Sequence, residues 1–254
     1  MDLGLAGRVY VVSGGSRGLG RATAEALVAD GARVVVGARD EAAVERAAQQ
    51  LGGPGHAVGV VADLGEAASA SRLVEAAHRA YDGLDGALVS VGGPPPGTAL
   101  DTGEDAWRAA FESVFLGALR LTRQVAAALG PDGGSIAWVL SSSVHTPIPN
   151  LAISNGLRPG LAGLAKTLAS ELGPRNVRGN GLLPGRIAPE RMVQLDAASG
   201  DAEAARRRNE AGIPLGRYGE PAEFGRVAAF VLSPAASLLT GAMIPVDGGM
   251  LPTW

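Results

Sequence analysis

Two stretches of the chain carry residue types that can do chemistry. In the run LSSSVHTP, Ser141 and Ser142 lie within a few residues of His145, and Ser154 and Arg158 follow four residues apart. A serine hydroxyl can orient a carbonyl oxygen, an imidazole titrates near neutrality and can move a proton, and a guanidinium supplies a fixed cation with a planar fork of donors. The alternatives are ordinary ones: a loop histidine is solvated, and Arg158 caps a helix or faces water.

The second stretch is SGGSRGLG (13–20), with Gly14, Ser16, Arg17, Gly18, Leu19 and Gly20, wedged between the β-branched run VYVVS and the helical pattern RATAEALVAD. Glycines there let the backbone turn tightly and approach a pyrophosphate, and the helix that follows aims free N–H groups and a positive dipole end at the anion. The spacing is GxxxGxG, not the general GxGxxG. About twenty residues downstream, where a carboxylate would hold a free ribose 2′-hydroxyl, the run VVVGARD places Ala38 and Arg39. Arg17 and Arg39 can together grip a 2′-phosphate, which favours NADP(H) over NAD(H). The alternative has Arg39 facing solvent and Asp40 capping the next helix.

The elements that must position these groups alternate along the chain. Runs at 9–13, 33–37, 57–61, 86–91, 136–141, 177–183 and 242–246 are short and nearly continuously apolar, with Ala- and Leu-rich helical patterns between them. Such strands belong to a parallel sheet covered on both faces, so the expected class is α/β, a Rossmann-type doubly wound sheet of about seven parallel strands. Helical spacing is clearest in Leu157, Leu161, Leu164, Leu168 and Leu172; weaker stripes are Leu116, Leu119, Val125 and Leu129, and Val227, Phe230 and Val231. Nothing in the composition divides the chain, which reads as a single domain over 1–254. The strandless segment 186–219 is expected to form a helical excursion over the site, as a substrate lid or a plain solvated insertion.

Composition narrows the partners. The 254 residues carry a net charge of −3, which disfavours nucleic acid and leaves a small-molecule substrate. With no Cys and three scattered His, no metal site is expected. No apolar run approaches the ~18 residues of a membrane span, and the N-terminal residues lack the basic and apolar regions of a secretory signal, so a cytoplasmic location with no membrane partner is expected.

These motifs resemble the short-chain dehydrogenase/reductase family, and the resemblance runs along the whole chain. SGGSRGLG is similar to the family's TGxxxGxG turn, Asp63 in VVADL matches its adenine-contacting Asp, and NGLLPGRI (180–187) is similar to the segment ending in Pro-Gly after its sixth strand. LLTGAMIPV followed by VDGG (246–249) is like its C-terminal signature, whereas SVGG (90–93) keeps only Gly93 of the usual NNAG. The resemblance implies cofactor contacts from the glycine turn, Arg39, Asp63, Leu64, Ser90, Gly92, Arg158, Pro184, Gly185 and Ile187. It also implies homodimers or homotetramers built through the fourth and fifth helices.

At the family's catalytic stations the register gives other residues. Val114 stands where an Asn is usual, Ser141 or Ser142 at the Ser, Ser154 at the Tyr, Arg158 at the Lys, and Pro189 where a Thr is common. A serine is far less acidic than a tyrosine and too short to replace it. Pro159 directly after Arg158 suggests that the helix begins there, in which case Ser154 and Arg158 need not share a face. Tyr10, Tyr81 and Tyr218 lie elsewhere, leaving His145 or water to supply a proton. Three readings stay open: an NADP(H)-dependent oxidoreductase with an atypical proton donor, a non-catalytic nucleotide-binding or partner protein, and a non-redox enzyme such as a dehydratase, cyclase or isomerase.

Overall fold

The computed structural model describes residues 2–187 and 201–252. Its strands are β1 (Val9–Ser13), β2 (Arg33–Ala38), β3 (Ala57–Val61), β4 (Gly86–Val89), β5 (Gly134–Val139), β6 (Val177–Pro184) and β7 (Met243–Val246). They form one sheet in the order β3-β2-β1-β4-β5-β6-β7, every pair parallel. Connecting them are α1 (Gly18–Ala29), α2 (Glu41–Gln50), α3 (Ser69–Tyr81), α4 (Glu104–Ala110), a π-helical segment Phe111–Leu116, α5 (Gly117–Ala128), α6 (Ala152–Leu172), α7 (Ala202–Ala211) and α8 (Pro221–Leu232). The strand order reverses between β1 and β4, where the connections turn to opposite sides of the sheet, and in such folds ligands bind beyond the carboxyl ends of the strands at that switch point.

Alternation of side chains along each strand feeds two separate cores. Val9, Val11, Val35, Ala87, Ile136, Trp138 and Leu183 face α3, α5 and α6. Tyr10, Val12, Val34, Val36, Leu88, Ala137 and Leu182 face α1, α2 and α8. Both faces of the sheet are therefore apolar, which is why the strands read as unbroken hydrophobic runs.

Three expectations about helices change. Helix α6 begins at Ala152, so Pro159 sits inside it and not at its first turn. Burial of Ile153, Ser154 and Arg158 against the sheet holds that first turn in place despite the proline. In the stretch before β5, Val125 and Leu129 are buried as expected, but Leu116 and Leu119 are half-buried, and Val114, Ala118 and Leu121 are buried with the first two. In α8, Val231 is buried but Phe230 is partly exposed. Within 186–219, α7 supplies the helix and an isolated bridge pairs Ile187 with Gly219. Pro189 lies outside the described residues.

Candidate functional site

Because every strand is parallel, the loops that follow β1 to β6 all leave from one edge of the sheet. That edge gathers the glycine turn after β1, Arg39 after β2, Asp63 and Leu64 after β3, Ser90 and Gly92 after β4, Ser141 and Ser142 after β5, and Gly185 to Ile187 after β6, whose last residue is Pro184.

At the switch point, Ser13 Oγ donates to the Ser90 carbonyl and accepts from the Ser90 N–H, both at 2.9 Å, which ties the ends of β1 and β4. Gly14 adopts φ +62, and a Cβ there would meet the Ser90 carbonyl oxygen at 2.9 Å. Gly20 lies so close to the Gly14 carbonyl that a Cβ would overlap it. Gly18, at φ +56, faces open space, with nothing within 4 Å of an added Cβ. Arg17 occupies the N-cap of α1, yet no side chain caps that helix and no acidic residue stands in its first turn. The N–H groups of Gly18, Leu19 and Gly20 are thus turned to the switch point with the positive dipole end of α1. Ser16 is half-buried beside them.

Arg17 and Arg39 are both exposed, and neither guanidinium has a hydrogen bond or ion pair with a described residue. Asp40 caps α2 by accepting from the Ala43 N–H at 2.6 Å, so the capping role and an exposed Arg39 occur together. Asp63 is half-buried and accepts from the Gly65 N–H at 2.9 Å through one oxygen, Oδ1. At the far end, the Gly185 N–H donates to the Val246 carbonyl at 3.0 Å, and a Cβ on Gly185 would collide with Asp247. The Ile187 side chain is buried in the α1–α8 core.

The second half of the site is built by β5 and α6. Ser141 caps the 3-10 turn Ser142–Val144, its Oγ accepting from the Ser143 N–H at 3.0 Å. Ser142 is buried, and His145 is exposed with no side-chain hydrogen bond to a described residue. Ser154 and Arg158 stand one turn apart on the buried face of α6, at 6% and 5% exposure, so the proline does not part them. Ser154 Oγ meets Ser143 Oγ at 3.2 Å. Arg158 donates to the Val139 carbonyl at 2.6 Å and to those of Gly92 and Val91 at 3.4 and 3.5 Å, drawing together the ends of β4 and β5. Val114 is buried in the π segment.

Ser143 and Asn155 escaped the sequence reading. Ser143 belongs to the same serine run, and only its register to Ser154 distinguishes it. Asn155 grips both polar groups of Ile148, accepting from its N–H at 3.0 Å and donating to its carbonyl at 2.9 Å, and so pins the loop after His145 to α6. No local pattern announces that contact. The tyrosines stay away from these groups: Tyr10 donates to the Leu232 carbonyl, Tyr81 to that of Pro54, and Tyr218 packs with Ile213 and Met250. Burial raises the pKa of both Tyr10 and Tyr81 above the ordinary phenol value. Among the described residues no three His, Asp or Glu gather as metal ligands, and no helix is long and apolar enough to cross a membrane.

A family model described as enoyl-(acyl carrier protein) reductase matches residues 14–251. Dehydrogenase/reductase SDR family member 4 of Homo sapiens is 34% identical over 251 residues, covering 96% of this chain and 88% of that protein. The chain belongs to the short-chain dehydrogenase/reductase family. An uncharacterized oxidoreductase of Methylorubrum extorquens is 35% identical over 249 residues, 97% of this chain and 98% of that protein. Among solved structures, L-sorbose reductase from Gluconobacter frateurii, complexed with NADPH and L-sorbose, superposes with a TM-score of 0.94 at 27% identity over 100% of both chains. This short-chain dehydrogenase/reductase thus has the family's fold, with Ser154 and Arg158 four residues apart at the start of α6.

Proposed function

We propose that the chain is an NADP(H)-dependent oxidoreductase acting on a carbonyl or alcohol substrate, with a proton donor other than a tyrosine. The observation that carries this reading is the uncapped start of α1 at the switch point, flanked by two exposed arginines that have no ion pair with a described residue. These residues fit a phosphorylated dinucleotide: the N–H groups of Gly18 to Gly20 hold the pyrophosphate, Arg17 and Arg39 take the 2′-phosphate, and Asp63 and Leu64 border the adenine. Ser90, Gly92, Pro184, Gly185 and Ile187 line the remainder through their backbone. When bound, the nicotinamide supplies or accepts a hydride.

The chain's own groups then act on the substrate. Ser141 is the better placed of the two candidate serines, because its Oγ accepts a backbone N–H and keeps its own proton to donate to a carbonyl oxygen, whereas Ser142 is buried. His145, exposed on the same loop, or a water molecule delivers the proton. Ser154 hydrogen-bonds within the protein. The segment 186–219, of which 188–200 lie outside the described residues, is taken to shape the substrate side, and the whole chain to act as one domain. Self-association as a dimer or tetramer fits the stacked Phe111–Phe115 pair, with Phe111 43% exposed on the π segment beside α6.

One observation favours the non-catalytic reading. Arg158 donates to strand-end carbonyls, a structural role that leaves no need for it at a ribose. Titration with NADPH followed by absorbance at the nicotinamide band across a panel of carbonyls and alcohols separates the two. Turnover lost in His145→Ala supports the enzyme; binding with no turnover on any panel member leaves a nucleotide-binding protein.

A further inference from the structure

Among the described residues, eight ion pairs hold the charged side chains together, and none of them involves Arg17, Arg39 or Arg186. Arg17 and Arg39 are exposed, where water solvates a guanidinium fully. Arg186 differs: it is partly buried, and among the described residues it is the one partly buried charged side chain with neither a hydrogen bond nor an ion pair. The other half-buried charges are satisfied, as in Asp247, which accepts from the N–H groups of Gly249 and Leu251, and Arg178, which donates to four backbone carbonyls. Partial removal of a cation from water without a partner costs free energy that a ligand anion can offset.

The backbone at Arg186 is fixed from both sides. The Ile187 N–H closes back on the Gly185 carbonyl at 3.1 Å, and the Gly219 N–H donates to the Arg186 carbonyl at 2.9 Å. The Ile187 side chain is buried in the α1–α8 core, whereas Arg186 beside it stays only partly buried. Its root lies at the carboxyl edge of the sheet, immediately past Pro184–Gly185. A guanidinium so placed matches the two oxygens of a carboxylate or phosphate.

We infer that Arg186 is a specificity-determining residue, and that the small-molecule substrate is a carbonyl compound bearing an anionic oxygen group, carboxylate or phosphate. The inference rests on the oxidoreductase reading above, since it is the substrate of that same site that Arg186 would select. The cofactor's own pyrophosphate is the competing source of such an anion.

The test titrates wild type, Arg186→Met and Arg186→Lys by calorimetry, each with and without saturating NADPH. The probes are α-keto acids from pyruvate to α-ketooctanoate against their methyl esters, and dihydroxyacetone phosphate against dihydroxyacetone. The inference expects at least one charged probe to bind wild type about tenfold or more tightly than its neutral mate. That margin disappears in Arg186→Met and is partly kept in Arg186→Lys, while the NADPH Kd stays within about twofold of wild type. It is overturned if no charged probe outbinds its mate, or if the margin survives in Arg186→Met. It is equally overturned if Arg186→Met weakens NADPH itself as much as the probes, which assigns Arg186 to the cofactor. A wild type that fails to bind NADPH counts against the oxidoreductase reading alone, because the cofactor-free arm still judges Arg186.

Discussion

The two halves of the carboxyl edge are built by different means. Between β1 and β2 the turn itself is made of backbone, with left-handed glycines, close carbonyl approaches and the uncapped N–H groups of α1, and side chains enter only as the exposed Arg17 and Arg39. Between β5 and α6 the working parts are side chains, and there the hydroxyl of Ser154 pairs with Ser143 while Arg158 braces strand ends. A backbone cradle tolerates few alternatives, because every substitution at Gly14 or Gly20 meets a carbonyl oxygen. A side-chain constellation is less tightly dictated by the backbone that carries it, and α6 keeps its course with a serine, an arginine and a proline in its first turns.

The largest effect belongs to the backbone half. Gly20→Val places a branched side chain against the Gly14 carbonyl, so the turn must open. The NADPH Kd is expected to rise by at least ~100-fold, about 2.8 kcal/mol, in a calorimetric titration. Unchanged affinity in a folded variant would erase the contrast between the halves. In the other half, Arg158→Met strips buried carbonyl oxygens of their donor and should lower stability by about 1–3 kcal/mol in urea unfolding, with a smaller change in NADPH affinity. The reverse ranking, with intact stability and lost NADPH, would place Arg158 on the cofactor.

The smallest effect concerns neither half. Arg217 donates to both oxygens of Glu223, and that hydrogen bonding holds the Glu223 pKa down at about 2, against an ordinary value of 4.5. A carboxyl lowered on folding stabilises above its unfolded pKa and stops doing so as pH falls through its folded one. Wild type should therefore exceed Glu223→Gln in urea midpoint above pH 4.5, with the gap closing towards pH 2. A pH-independent gap would mean that the pair acts through packing. Both ends of the comparison, cofactor affinity and α6 stability, should be untouched by this variant.

What the sequence made legible follows the same division. Apolar runs located all seven strands, since burial of the inner strands on both sheet faces leaves little room for any other pattern, and β1 and the partly exposed edge strand β3 match residue for residue. The glycine turn was legible because its geometry excludes other residues. The start of α6 was not: local preference puts a proline in a first helical turn, but burial of Ile153, Ser154 and Arg158 overrides it. Leu116 and Leu119 misled because a π segment precedes α5 and rotates the face that meets the sheet. The Asn155 grip on Ile148 and the isolation of Arg186 depend on contacts between loops, which no periodicity records.

The account turns on a cradle built for a phosphorylated dinucleotide, and parallel titrations of wild type and Arg39→Ala with NADPH and NADH test it most directly. It predicts that wild type binds NADPH at least about tenfold more tightly than NADH, and that Arg39→Ala removes most of that margin while leaving NADH unaffected. Equal affinity for the two in wild type, or binding of neither, would contradict it.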